Sequence, residues 1–182
     1  MMSANPSTSL PPEITELAIR LGAAAADSAR ARVHLARSGE MREGPEKRWM
    51  RFTATETVDV TAPGFDWRAK TGPLSCLTVV DRLSGEDARS ELRLFGLLPL
   101  SGSPPDRTAL HKGQIMRYLA EIPWSPDAIV RNRTLEWTGL SNGLRVSHPS
   151  VFGRFSVDIE FDADGRIDQV SAPDRPRLKN GR

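Results

Sequence analysis

The sequence predicts an α+β fold: a curved, largely antiparallel β-sheet forming a partly open barrel, with an N-terminal helix and one mid-chain helix packed on it. Three observations predict it. After Asp27 most of the chain alternates apolar and polar residues at the two-residue period of a half-buried strand. Helical spacing is confined to two stretches, near 12–27 and 108–120. Short turn signals separate roughly nine strand-like runs, as in a meander rather than a parallel sheet with crossover helices. An antiparallel sheet of this kind has one apolar face to cover. The helices therefore lie on its concave side or the sheet curls on itself, and a flat sheet-and-helix sandwich is the competing arrangement.

Each element has its own reason. Residues 1–11 are rich in Ser, Pro and Asn and read as a disordered N-terminus. From Pro12, the positions Ile14, Leu17, Ala18, Leu21 and Ala25 share a helical face, and Glu13 and Glu16 lie in the first turn, where the helix dipole favours negative charge. Across residues 48–60, Met50, Phe52, Ala54, Val58 and Val60 face one way, opposite Arg51, Thr53, Thr55, Thr57 and Asp59. Pro63-Gly64 suits a type II turn, followed by alternation through Phe65, Trp67 and Ala69. Leu74–Val80 reads as an apolar strand containing Cys76, and Ala88–Leu98 as another. Asp106 or Thr108 caps a helix to about Ala120, and Pro123 and Pro126 hold an irregular stretch after it. Strands resume at 134–138, 144–147, 151–161 and 166–171, with Gly165 in a hairpin. Residues 12–173 form a single domain, and 174–182 a flexible basic tail.

Composition excludes several classes. The chain has 182 residues, 25 Lys plus Arg against 23 Asp plus Glu, and a net charge of +2. The acids and bases interleave, so the charge is not the clustered footprint of a nucleic-acid binder, and no nucleic-acid partner is expected. No uncharged run approaches the ~18 residues of a membrane helix, and MMSANPSTSLPPE is no signal peptide. No integral membrane segment is expected, and a cytoplasmic location follows. One cysteine supplies neither an intrachain disulfide nor a zinc cluster. His34, His111 and His148 show no ligand spacing, and DADG at 162–165 lacks the rest of a calcium loop. There is no GxSxG elbow and no phosphate-binding glycine loop. No metal and no cofactor is expected.

Two places carry candidate chemistry. In GQIMRYLAEIPWSPDAI, residues 113–129, Arg117 and Glu121 are one helical turn apart and can pair. Tyr118, the single tyrosine, adjoins them, and Trp124 follows Pro123. Such a group would hold a polar-headed ligand against an aromatic wall. Alternatively it is a structural ion pair tying helix to sheet, with Trp124 in the core. Glu56 interrupts the apolar face of its strand, where an unpaired carboxylate is costly. It needs a partner such as Arg117 and would serve as a general base or ligand anchor, unless a bulge or strand edge lets it reach water. Trp67 belongs with Trp49, Phe52, Phe65 and Trp124 among the aromatics available to a concave pocket.

The blocks SGEMR, RWMRFTATETVDVTAPGFDWRA and QIMRYLAEIPWSPDAI together resemble a bacterial family of unknown function, marked by a PGFxW turn and an RYLAExxWxPxAL helix, over about residues 31–177. The resemblance implies no activity, cofactor or catalytic residue. It implies that glutamine often stands at position 56, which counts against Glu56 as an essential base. It also implies further strands beyond DRPR at 174–177, so that a sheet edge here would be uncovered and open to homodimer pairing.

The expected function is therefore non-enzymatic binding of a hydrophobic or amphipathic small molecule in the concave face, through Arg117, Tyr118, Glu121, Trp124, Glu56 and Trp67. One alternative is a hydrolase- or isomerase-like enzyme using Glu56 or Glu121 as acid/base with Arg117 as electrostatic stabiliser. Another is an interaction protein whose core is filled by its own helices.

Overall fold

The first helix stops earlier than its apolar spacing suggests. In a computed structural model describing residues 10–24, 31–42, 45–100 and 106–176, α1 spans Pro12–Arg20 and buries Ile14, Leu17 and Ala18. Gly22, at φ 91, ends it: its N–H donates to Ile19 O at 2.9 Å, and that of Ala23 to Ala18 O at 2.9 Å. This is a Schellman cap, which needs a left-handed residue that glycine supplies without strain. The expectations for residues 1–9, 25–30 and 177–182 lie outside the described residues.

Ten strands among the described residues form two antiparallel meanders, neither of them closed, in place of one sheet of nine. The first contains β1 (Arg32–Met41), β2 (Met50–Asp59), β3 (Gly64–Thr71), β4 (Leu77–Ser84), β5 (Asp87–Leu94) and β6 (Leu98–Pro99) in chain order. The second contains β7 (Glu136–Leu140), β8 (Gly143–Ser150), β9 (Gly153–Phe161) and β10 (Ile167–Ser171). Between them in sequence lie α2 (Arg107–Glu121) and the short α3 (Asp127–Arg131), the latter replacing the expected irregular stretch. The fold is α+β, as the sequence predicts.

Several local expectations are corrected. Gly64 does not take the positive φ of a type II turn. Instead Asp59 accepts from the Thr61 N–H at 2.9 Å and hydroxyl at 2.8 Å, and a Cβ added at Gly64 would make only an ordinary 3.4 Å contact with the Asp59 Cβ. The apolar run at 74–80 does not begin as strand: Gly72, at φ 79, turns the chain into a 3-10 turn, Pro73–Ser75. Leu74 then stands in solvent, and Cys76 is a half-buried residue before β4 rather than one inside it. The run at 88–98 breaks at Phe95 and Gly96, both left-handed, which reverse the chain into β6. Val151 lies exposed in the turn ahead of β9.

The helix α2 is the hub of the core. Asp106 caps it, its carboxylate accepting from the Thr108 N–H at 2.9 Å. Pro123 has no N–H to continue the helix, so the chain tightens into a 3-10 turn, Ile122–Trp124. The helix touches β4 and β5 of one sheet and β8 and β9 of the other. Ile115, Met116, Leu119 and Ile122 thus sit in one buried cluster with Val58, Phe65 and Leu83 from the first sheet and Val146, Val157 and Ile159 from the second.

Candidate functional site

Registers across the first sheet arrange its inner face, the one under α2, as rows of side chains. The first row is apolar: Val33, Val58, Phe65, Leu83, Ala88. Two residues along each strand, the pleat presents the same face again, as Leu35, Glu56, Trp67, Asp81 and Ser90. A third row is Arg37, Ala54, Ala69, Val79 and Leu92. The fourth runs from Gly39 through Phe52, Thr71, Leu77 and Leu94 to Leu98. Charge therefore enters in the second and third rows, between an apolar floor and an apolar far end.

Contacts fix how α2 crosses these rows. Gln114 Nε2 donates to Arg89 O on β5 at 3.4 Å. One turn on, Arg117 Nη1 meets Asp81 of β4 at 2.7 Å, and its Nη2 lies 3.8 Å from Glu56 of β2. A further turn on, Glu121 pairs with Arg37 of β1 at 2.8 Å. The helix thus runs diagonally across the sheet, from the first two rows on β5 and β4 to Arg37 of the third row on β1, and Ala69 and Thr71 on β3 stay buried beside it. Exposure follows: Ala54, Glu56 and Val58 are buried, whereas Phe52, Val79, Leu92 and Leu94 are only half-buried.

At the crossing, two arginines bind three carboxylates. Arg37 reaches Glu56 at 2.7 Å as well as Glu121, and Arg117 Nε donates to Glu121 at 2.8 Å. Ser90 donates to Asp81 at 2.6 Å. Aromatic faces enclose the guanidinium groups: that of Arg117 lies 4.6 Å from the Trp67 ring centre and 4.9 Å from Phe65, and that of Arg37 lies 5.0 Å from Trp124. Burial, then the neighbouring charge of Glu121, push the Glu56 carboxyl up to about 7, against the pull of Arg37 and Arg117. Arg175, beyond β10, interacts electrostatically with Arg117, Glu121 and Asp81.

Glu56, Trp67, Arg117, Glu121 and Trp124 are therefore brought together, and Tyr118 is not. Consecutive helix residues face about 100° apart, so Tyr118 turns into the core. Its hydroxyl donates to Asp59 O at 3.1 Å and accepts from Asn132 at 3.1 Å. Glu56 sits on a central strand in unbroken register, so no bulge or edge lets it reach water. Trp124 is 60% exposed rather than core, one side of its ring covered by Arg37. Sequence reasoning missed Arg37 and Asp81, although both interrupt apolar inner faces as Glu56 does. The chain belongs to the family of unknown function DUF6544, whose family model matches residues 2–182. No curated protein and no solved structure matches this DUF6544 chain. Among its described residues no His, Cys, Asp or Glu cluster could hold a metal ion, and no helix is long and apolar enough to cross a membrane.

The inward role of Tyr118 has a direct test in this DUF6544 chain. Tyr118→Phe strands the Asn132 amide in a buried site, at a cost of about 1–2 kcal/mol. Urea denaturation would read it as a lower midpoint at unchanged slope. An unchanged midpoint would mean that the hydroxyl contributes nothing to the core.

Proposed function

We propose that the protein binds an amphipathic small molecule along the third and fourth rows of the inner face. Its polar head lies at the rim made by Arg37, Glu121 and Trp124, and its apolar part lies on Phe52, Val79, Leu92 and Leu94. The observation that carries this reading is the fall in burial along β2 and β4: past the charged, aromatic-walled cluster Phe52 and Val79 are only half-buried, with half-buried Leu92 and Leu94 of β5 beside Val79 and Leu77. A mostly apolar surface with a few convergent polar groups is the common form of small-molecule sites. In this reading Arg117 and Glu56 position Arg37 and Glu121 from behind, with Trp67 beneath them. The acid/base alternative has less support, because the Glu56 side chain is only 2% exposed and Arg37 lies against it.

Dansyl-undecanoate, an amphipathic fluorophore, tests the reading by fluorescence titration. Saturable binding is expected, weakened about tenfold or more by Trp124→Ala and by Leu92→Asp, since anchoring side chains each carry more than about 1 kcal/mol. Binding that neither substitution changes, or no binding, would refute the groove.

A further inference from the structure

The end of the six-stranded sheet beyond the fourth row presents apolar side chains to solvent on three separate loops. In an unbroken antiparallel meander the β1–β2, β3–β4 and β5–β6 connections all emerge at the same end. They carry Trp49, Leu74, Phe95 and Leu97 outward: Leu74 is fully exposed, Phe95 is 70% exposed and Leu97 81%. The backbone here is strained as well. The three non-glycine residues with positive φ among the described residues are Leu74 at 53°, Ser75 at 56° and Phe95 at 52°, all in these loops. A left-handed backbone is unfavourable at bulky residues. In this protein it holds two large apolar side chains in water, with no packing to compensate.

Positive charge accompanies them. Arg42 lies over the Trp49 ring at 4.6 Å. Lys47 and Arg48 adjoin Trp49, and Lys70 is near the end of β3. No carboxylate among the described residues lies within ion-pair distance of Lys47, Arg48 or Lys70. A cleft of about 790 Å³ opens between the first two loops, with Lys47, Arg48, Arg51, Trp49 and Leu77 in its lining; Glu40 lines it too and Glu46 adjoins Lys47, so the bases outnumber the acids there. Apolar tips, an interfacial tryptophan and basic groups around a cleft complement a bilayer with anionic head groups.

We propose that this end of the sheet docks peripherally on an anionic lipid surface. Leu74, Phe95 and Leu97 enter the boundary between head groups and acyl chains, and Lys47, Arg48 and Lys70 meet the head-group charge. A second copy of the chain fits less well. The neighbouring edge strand β6 has two residues, and one of them, Pro99, cannot donate to a new strand. The inference rests on the loops and not on the binding groove, although that groove opens toward them.

Flotation with phosphatidylcholine vesicles, with and without phosphatidylglycerol, tests it. The protein is expected to float with the anionic vesicles, less at high salt, and to stay behind with phosphatidylcholine alone. Leu74→Gly with Phe95→Gly removes two of the three apolar tips and relieves the left-handed strain at both positions, so the fold is retained. That variant is expected to partition about tenfold more weakly while binding dansyl-undecanoate as before, and Trp124→Ala is expected to do the reverse. Absence of flotation, or flotation unchanged in the double variant, would overturn the proposal. So would a lipid-free dimer in sedimentation velocity that the double variant abolishes.

Discussion

Arg117→Ala is expected to destabilise the protein by about 3–5 kcal/mol at neutral pH, the usual cost of removing one partner from a buried ion network. Arg117 is 11% exposed and bridges carboxylates from three elements: Asp81 on β4, Glu56 on β2 and Glu121 on α2 itself. Without it, Asp81 loses its arginine, Arg37 alone faces both glutamates, and the Trp67 and Phe65 rings lose the cation that covers them. Urea denaturation measures the loss. A second substitution identifies its origin: if uncompensated negative charge is the cause, adding Glu56→Gln to Arg117→Ala recovers part of the loss, a coupling a double-mutant cycle isolates. A single-variant loss below about 1 kcal/mol, the range of exposed ion pairs, would show that the network is not what holds α2 to the sheet.

The same network shows what could be read from the sequence. Strand period and turn chemistry are local, so β2, β3, β9 and the capped start of α2 were legible from residue order. The pairing of Arg117 with Glu121 was legible for the same reason, because one helical turn fixes it. The group around Glu56 depends on register between strands. Arg37, Glu56 and Asp81 lie far apart in sequence and meet because the β1–β2, β2–β3 and β3–β4 registers put Glu56 and Asp81 in one row and Arg37 in the next. The available signal was the recurrence of one charged residue on each apolar face: Arg37 after Leu35, Glu56 between Ala54 and Val58, Asp81 between Val79 and Leu83. Errors at element ends came from glycines. Gly22 stops a helix whose apolar spacing runs on, and Gly72 turns the chain where Leu74 continues the strand pattern. Tyr118 was misdirected because adjacency in a helical sequence is not adjacency on a helix face.

Glu56 should make the protein less stable as pH rises through the mildly acidic range. Its native carboxyl is held at about 7, against 4.5 for the unreacted side chain, so between those values the folded state keeps a proton that the unfolded chain has lost. Stability then falls with pH, by on the order of 3 kcal/mol across the whole window, and levels off above it. His148 acts in the opposite sense. Burial lowers its value, so the unfolded chain takes up a proton first and stability rises with pH until the unfolded histidine is neutral. Acidic groups held low by arginine, Asp66 by Arg68 and Asp158 by Arg145, act only below this range. The wild-type curve alone is therefore a sum of opposing slopes, and the difference between wild type and Glu56→Gln isolates the carboxyl. That difference should be small near pH 5 and grow in favour of the glutamine variant toward pH 8, because glutamine keeps an oxygen for Arg37 without a charge to bury. A difference that is flat with pH would mean Glu56 ionises freely in the native protein. One that favours the wild type increasingly at high pH would mean the arginines outweigh burial, and Glu56 would then be an anchor of the fold rather than a charge the fold tolerates.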